Sequence, residues 1–111
     1  MQAFAKTKYV RISPQKARLV ADLIRGMKVE DALVQLSFTN LKGGHLLRKT
    51  VVSAVANAET RFADVRRSQL RLKEVRVDEG PIMKRAKSKC RGARVPIMKR
   101  MSHFLVVVEM E

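Results

Sequence analysis

The sequence is poor in cysteine and in aromatic residues: its 111 residues include one cysteine, one tyrosine, four phenylalanines and no tryptophan. The single cysteine, Cys90, excludes an internal disulfide and supplies too few sulfur ligands for a zinc ribbon, so we expect a reducing compartment. The chain has no uninterrupted apolar run near 18 residues, and residues 1–6 (MQAFAK) lack the apolar core of a signal peptide. We therefore expect a cytoplasmic protein without a transmembrane helix.

Acidic residues are scarce as well. Ten Asp and Glu oppose 24 Lys and Arg, which gives a formal net charge of +14 and a pI near 11.0. The length suits one small domain, and 46% hydrophobic residues suffice for one core. So large a positive charge on so small a domain predicts a polyanionic partner.

The charge is unevenly distributed along the chain. Residues 1–21 carry five basic residues and no acid, whereas residues 22–79 hold eleven basic and eight acidic residues and predict an ordinary solvated surface. Residues 81–108 again contain no acid, and we expect this segment to be the main binding element. Its eight basic residues are Lys84, Arg85, Lys87, Lys89, Arg91, Arg94, Lys99 and Arg100.

A run of this kind is also typical of a solvated or disordered basic tail. Two features favour a folded arm instead. Apolar residues are interleaved with the charges, and the run lies between two strand-like stretches rather than at a terminus. The interleaved residues are Ile82, Met83, Val95, Ile97 and Met98.

The same segment contains a short internal repeat, because PIMKR occurs at residues 81–85 and again at 96–100. A turn near Cys90 would place the two copies opposite one another in a hairpin that could extend on the order of 40 Å beyond the core. Pro81 and Pro96 each lack a backbone donor, so we expect edge-like or irregular pairing between them. An isolated basic hairpin is marginal in water, and phosphates would stabilise it while its apolar side chains fill gaps between nucleotides.

The rest of the chain alternates between helical and strand patterns. Residues up to Ile12 suggest a strand, and Ser13-Pro14 marks the start of a helix over 14–25. A short helix from Val29, a loop over 40–44 and a long helix over 44–62 follow. Alternation over residues 70–77 predicts a strand with a bulge near Lys73 or Glu74, and residues 104–108 predict a strand covered on both faces.

Several of these features admit two interpretations. The small side chains of residues 53–58 suit packing of a helix on a sheet, or RNA contact. Arg18 could pair with Asp22 four residues later or bind phosphate. His45 could contact phosphate or be a solvated residue at a helix start, and Cys90 could be a reactive thiol or a small turn residue.

No arrangement typical of an enzyme is present in the sequence. The two histidines and the cysteine are far apart, so no nucleophile–base pair or metal-ligand set occurs at a recognised spacing. Asp78-Glu79 is followed by Gly80-Pro81, which predicts a turn rather than a catalytic pair. We expect no catalytic residues, no metal and no cofactor.

The order and spacing of five motifs identify a resemblance that spans nearly the whole chain. The motifs are RISPQKARLV at 11–20, IRG at 24–26, SAVANAE at 53–59, VDEGPIMKR at 77–85 and KRMSH at 99–103. Together they resemble the bacterial-type ribosomal protein twenty-two family of the large subunit.

The resemblance implies an α+β fold in which three helices pack on a small antiparallel sheet with a long extended β-hairpin arm. The chain would be one domain, with a globular part over about 1–79 and 101–111 and a basic hairpin over about 80–100. It would be a structural constituent of the large ribosomal subunit that binds rRNA, supports assembly and lines the peptide exit tunnel with its hairpin. Its other partners would be neighbouring large-subunit proteins and the nascent peptide, without homo-oligomers.

The resemblance also implies which side chains contact rRNA. In the globular part they are Lys6, Lys8, Arg11, Ser13, Lys16, Arg18, Arg25, Arg48 and Lys49, and in the arm Lys84, Arg85, Lys87, Lys89, Arg91, Arg94, Lys99 and Arg100. The tip facing the tunnel would be Ser88, Lys89, Cys90, Arg91 and Gly92. Residues 88–94 (SKCRGAR) depart from the family pattern at this tip, which leaves open the side chain that faces the tunnel.

Two other functions fit a basic chain of this size. A free RNA or DNA chaperone would bind many nucleic acids with similar affinity and have no stable place in ribosomes. A membrane-surface protein would need an amphipathic basic helix, whereas residues 81–108 contain two prolines and strand signals.

Overall fold

The computed structural model describes residues 2–62, 66–89 and 92–110, with the side chains of residues 88, 89, 93 and 94 excepted. The chain is an α+β fold, as expected. Its elements are β1 (Gln2–Val10), α1 (Pro14–Ile24), α2 (Val29–Phe38), α3 (Lys42–Arg61), a 3₁₀ turn (Arg67–Gln69), β2 (Leu70–Lys89) and β3 (Ala93–Met110).

The three strands form one antiparallel sheet in the order β1-β3-β2, so the C-terminal strand is central. Phe104, Val106 and Val108 are buried against the helices, and Leu105 and Val107 on the other face are half-buried. The prediction of a strand covered on both faces is therefore correct for the face that packs on the helices and only partly correct for the other face. β2 and β3 continue beyond the body as a two-stranded arm, residues 80–100.

Helix α1 begins and ends almost where the sequence predicts. Ser13 is the N-cap, with its hydroxyl accepting from the Lys16 amide at 3.5 Å, and Pro14 occupies the first helical position. After Ile24 the chain leaves the helix through Gly26, whose φ of +84° suits glycine.

Helix α3 begins at Lys42, so the predicted loop over 40–44 is wrong in its second half. Glycine disfavours a helix, but Gly43 lies in the first turn because of tertiary packing. A Cβ at Gly43 would lie 3.2 Å from Ile12 Cδ1 and 3.4 Å from Ala17 Cα, so the absence of a side chain allows α3 to approach α1 closely.

Three of the residues 53–58 in α3 pack against the sheet, which confirms the first of the two interpretations for the buried face of the helix. Ala54, Val55 and Ala58 are buried. On the neighbouring face, Asn57 Nδ2 donates to the Phe4 carbonyl at 2.8 Å and ties the helix to β1.

Strand β1 ends at Val10 rather than at Ile12, which corrects the predicted boundary. Lys8 and Tyr9 form a bulge opposite His103, and Tyr9 has a left-handed φ of +59°. Two contacts with His103 offset this strain: the Tyr9 amide donates to Nδ1 at 3.0 Å, and the two rings meet edge to face at 5.1 Å. His103 lies inside β3, because that strand begins well before the predicted range of 104–108.

Strand β2 contains two bulges. Lys73 is the extra residue of the first, which confirms the predicted position. The second lies at the base of the arm, where Gly80 and Pro81 together lie opposite Met101. Of the two expectations for the pairing between the prolines, the edge-like one is correct and the irregular one is wrong, because the register runs unbroken from Ile82↔Arg100 to Lys89↔Ala93. Each arm strand has an open edge, which is where proline is tolerated.

Candidate nucleic-acid interface

The arm makes the molecule elongated. The principal extents are 65 × 24 × 16 Å and the radius of gyration is 17.0 Å, compared with about 13 Å for a compact chain of this length. Beyond its base, the described part of the arm is a two-stranded ribbon whose side chains are mostly exposed and so available to a partner.

The two PIMKR copies determine what faces what across the arm. In the antiparallel register the five basic residues of the arm whose side chains are described lie opposite apolar ones, and Arg94 lies opposite Ser88. The five pairs are Ile82↔Arg100, Met83↔Lys99, Lys84↔Met98, Arg85↔Ile97 and Lys87↔Val95. Like charges therefore do not oppose each other directly in these pairs, which removes the most unfavourable cross-strand contact. Successive pairs point to opposite faces of the ribbon, so both faces carry basic and apolar side chains.

The described basic residues of the arm are exposed and have no carboxylate partner among the described residues. Lys84, Arg85, Lys87, Lys99 and Arg100 are all exposed. Several apolar neighbours are exposed too, with Ile82 at 44%, Ile97 at 36% and Met98 at 48% of their full accessibility. Basic and apolar side chains that are both left open are suited to a partner with phosphates and base or sugar surfaces.

The predicted tip lies mostly outside the described residues. Cys90 and Arg91 are not described, and the side chains of Ser88, Lys89 and Arg94 are not described either. Gly92 is exposed and has a φ of +75°, a conformation that suits glycine.

The body places its predicted rRNA contacts at several surfaces. Lys6, Lys8, Arg11, Lys16, Arg48 and Lys49 are exposed, the first two on or beside β1 and the last two on α3. The Ser13 hydroxyl caps α1 and is half-buried. His45, which is close in sequence to Arg48 and Lys49, is also exposed on α3.

Two arginines are held by the sheet, one within α1 and one at its C-cap. Arg18 donates through Nε and Nη2 to the Val77 carbonyl at 3.2 and 3.1 Å, and Arg25 donates to the Val75 carbonyl at 3.2 and 2.7 Å. Asp22 pairs with Arg25 at 2.6 Å, so the Arg18–Asp22 pair considered from the sequence is not the one formed. Both arginines therefore also fasten α1 to β2.

A groove of about 760 Å³, here called the junction groove, lies where the arm leaves the body. It is lined by the basic residues Arg11, Lys16, Lys42 and Arg100 and by the apolar residues Leu19, Leu41 and Met98. Lys42 Nζ donates to the Arg11 carbonyl at 2.8 Å, and Arg11 Nη1 donates to the Arg100 carbonyl at 3.0 Å. The groove thus joins the starts of α1 and α3 to the base of the arm.

Lys42 was missed from the sequence. Its charge is isolated within the segment predicted as a loop, and its neighbours in the groove are distant along the chain. The sequence does contain one signal that could have marked Lys42 as a binding residue. Residues 32–58 include Lys42, Arg48 and Lys49 and no acid.

The outer face of the body sheet has a different electrostatic character. Arg71 and Lys73 pair with Glu109, and Arg76 pairs with Asp78 at 3.1 Å and with Glu74 at 3.6 Å. The hydrogen bond from Arg71, together with the charges of Arg71 and Lys73, holds the pKa of Glu109 below its ordinary value of 4.5. These cations are already compensated, unlike those of the arm.

The described residues offer neither a metal cluster nor a membrane span. They contain no group of three or more His, Cys, Asp and Glu side chains placed to hold an ion. None of the helices in the described ranges combines the length and hydropathy needed to cross a bilayer.

Comparison with known families gives a match over residues 5–109 to the family described as ribosomal protein L22p/L17e. The chain belongs to that family. Membership confirms the resemblance seen in the motifs, and it confirms the prediction of a structural protein rather than an enzyme, because ribosomal proteins of this family are structural.

Curated relatives of the L22 family match over almost their whole length. The large ribosomal subunit protein uL22 of Protochlamydia amoebophila is 64% identical over 106 residues, which cover 96% of this chain and 95% of the relative. The proteins of the same name from Chlamydia abortus and Chlamydia trachomatis serovar L2b are 54% and 50% identical over 104 residues, covering 94% of this chain and 93% of each relative.

Proposed function

We propose that this L22 family member is a constituent of the large ribosomal subunit in the cytoplasm, where it binds rRNA through its arm and its body. It supports subunit assembly, and the arm runs through rRNA to line the peptide exit tunnel, with its tip beside the nascent peptide. Neighbouring large-subunit proteins are its other partners. The names of the three relatives, each a large-subunit protein, support this assignment.

One observation carries the proposal: the described basic side chains of the arm are exposed and have no carboxylate partner among the described residues. The ion pairs among the described residues all lie in the body. Charges left uncompensated on a narrow ribbon repel one another in the free protein. Phosphates would relieve that repulsion, and the release of their counterions would supply much of the affinity.

The two faces of the arm support a position within RNA rather than on its surface. Lys84, Met98 and Arg100 lie on one face, and Arg85 and Lys99 on the other, so both faces carry the same mixture of cationic and apolar side chains. A ribbon lying on a flat RNA surface would use one face. Equivalent chemistry on both faces suits an arm with nucleotides on two sides.

The body and the arm have separate roles in this function. The body sheet and helices form a core of their own, whereas the arm has no core and consists of two strands alone. We therefore assign stable folding to the body and long-range RNA contact to the arm. The predicted contacts of the body, including Lys16, Arg48 and Lys49, anchor the arm at its base.

Sedimentation of a cell extract tests the proposal against a free nucleic-acid chaperone. An epitope-tagged chain should sediment with the large subunit on a sucrose gradient and stay there in moderate salt. Recovery at the top of the gradient, or spread over all nucleic-acid fractions, would contradict it. Flotation with anionic vesicles tests the membrane-surface alternative, and the purified chain should remain with rRNA when both are offered.

A further inference from the structure

We propose that the junction groove binds a sugar–phosphate strand of rRNA, which contacts the body and the arm at the same time and thereby fixes the direction of the arm. This inference rests on the proposed rRNA binding and adds a specific site to it. It depends on the four basic residues of the groove, which come from four separate parts of the chain.

In the described part of the chain, no carboxylate positions the basic residues of the groove. Lys42 donates to the Arg11 carbonyl and Arg11 donates to the Arg100 carbonyl, so backbone oxygens orient the two side chains while their charges stay uncompensated. Lys16 is exposed on the first turn of α1. Among the described residues, none that lines the groove is acidic. Four positive charges around one concave surface need an anionic occupant.

The apolar part of the groove indicates what kind of anion this is. Leu19, Leu41 and Met98 are 66%, 53% and 48% exposed, although they line the groove together. A single small anion would leave these side chains in water and could not reach four charges across a groove of about 760 Å³. A nucleotide strand offers successive phosphates to the cations and sugar or base surfaces to the apolar side chains.

The N-terminus of α3 also favours a phosphate in the groove. Leu41 occupies the N-cap position and gives no side-chain hydrogen bond to the first turn, and Gly43 in that turn lines the groove. A helix N-terminus favours negative charge. The groove therefore combines side-chain cations with a helix end that a phosphate would stabilise.

Occupation of the groove has a consequence for the arm. Arg100 and Met98 belong to β3 at the base of the arm, whereas Lys16 and Lys42 belong to α1 and α3 of the body. A strand held by both sets resists any change in the angle between arm and body. The groove would thus align the arm while the rest of the rRNA folds around it.

A charge-removal variant tests the site with the full chain and deproteinised large-subunit rRNA. Lys42→Gln keeps an amide donor for the Arg11 carbonyl and removes the charge. The association constant K for rRNA is measured at several salt concentrations. The slope of log K against the logarithm of the salt concentration should become shallower by about 0.7 to 1. The control Lys28→Gln removes an exposed charge outside the groove and should leave the slope unchanged. Equal slopes for both variants would overturn the groove site.

The same experiment separates this inference from the proposed function. If the unmodified chain shows no salt-dependent binding to the rRNA, the proposed function itself fails. If it binds and Lys42→Gln behaves like Lys28→Gln, the groove inference alone fails. Circular dichroism melting of both variants shows whether the fold is intact. In a double Lys16→Gln/Lys42→Gln variant, the change in slope relative to the unmodified chain should be about twice that of Lys42→Gln alone.

Cross-linking identifies the occupant. A photoreactive amino acid placed at Leu41 in one variant and at Met98 in another should, in assembled large subunits, cross-link to the same short stretch of rRNA. Cross-links from the two positions to unrelated rRNA segments would contradict the proposal that one rRNA strand occupies the groove. A cross-link from Leu41 to an acidic segment of a neighbouring protein would show a different occupant and would also overturn it.

Discussion

Lys84 lies directly opposite Met98 across the arm. Lys99 lies opposite Met83 in the same way, because residues 82–85 and 97–100, the IMKR parts of the two copies, pair antiparallel with Ile82 opposite Arg100. The repeat therefore separates like charges across the ribbon. A basic hairpin with no core of its own can pair its strands in this register without placing two cations side by side.

A substitution at Met98 tests this role of the repeat. Met98→Lys places a second lysine directly opposite Lys84, and we expect the pairing of the arm strands to weaken by about 0.2 to 1 kcal/mol in the free protein. Amide hydrogen exchange of residues 82–87 should become faster. Met98→Leu is the matched control and should leave exchange unchanged. Equal exchange in both variants would mean that the register does not depend on charge separation.

Shortening the arm tests how much of the RNA affinity it supplies. Replacement of residues 84–98 by Asn-Gly joins Met83 to its cross-strand partner Lys99 by a turn suited to hairpins. The body should stay folded, and the slope of log K against log salt for rRNA binding should become shallower by about 4 to 5, since six basic residues are lost. An unchanged slope would place the main phosphate contacts on the body.

Gly80 tests the close approach of the strands at the base of the arm. A Cβ at this position would lie 3.1 Å from the backbone carbonyl carbon and oxygen of Met101, which is fixed in the central strand. We expect Gly80→Ala to lower the free energy of unfolding by on the order of 1 kcal/mol, despite the reduced entropy of its unfolded chain. Thermal melting should show a fall of several degrees.

The matched control for that variant is Glu79→Ala, which removes an exposed side chain from the neighbouring position and adds nothing against Met101. Its melting temperature should stay close to that of the unmodified chain. Equal melting temperatures for Gly80→Ala and Glu79→Ala would show that the bulge tolerates a side chain.

Glu109 gives the body sheet a dependence on acid. The carboxylate accepts from Arg71 and its pKa is lowered from 4.5 in the folded state, so it stabilises the fold above its unfolded pKa. That contribution is lost as the pH falls below 4.5 through the folded pKa. Urea unfolding should show Glu109→Gln to be less stable than the unmodified chain at pH 7, with the difference shrinking as the pH falls below 4.5.

Glu79→Gln is the control for the pH experiment, because Glu79 is exposed and forms no ion pair in the described part of the chain. It should change the free energy of unfolding little at any pH. A difference for Glu109→Gln that persists undiminished at low pH would show that the stabilisation does not come from the ionised carboxylate.

The sequence predicts those features that depend on local pattern. Ser13-Pro14 marks the start of α1, and the alternation over residues 70–77 correctly predicts a bulge near Lys73 or Glu74. These signals arise from backbone preferences and from side-chain periodicity, which neighbouring residues are enough to reveal.

The features that were missed depend on contacts between distant residues. Gly43 is helical because of the approach to Ile12 and Ala17, and the left-handed Tyr9 depends on His103. Lys42 joins Arg11 and Arg100 only in the folded chain. The sequence showed which segment is basic, but the position of these side chains around one groove required the fold.

A high-resolution map of the assembled large subunit containing this chain tests the central claim most directly. The account predicts rRNA on both faces of the arm, with phosphates close to Lys84 and Arg100 on one face and to Arg85 and Lys99 on the other. An arm exposed to solvent, or one whose basic side chains meet the carboxylates of other proteins, would contradict it.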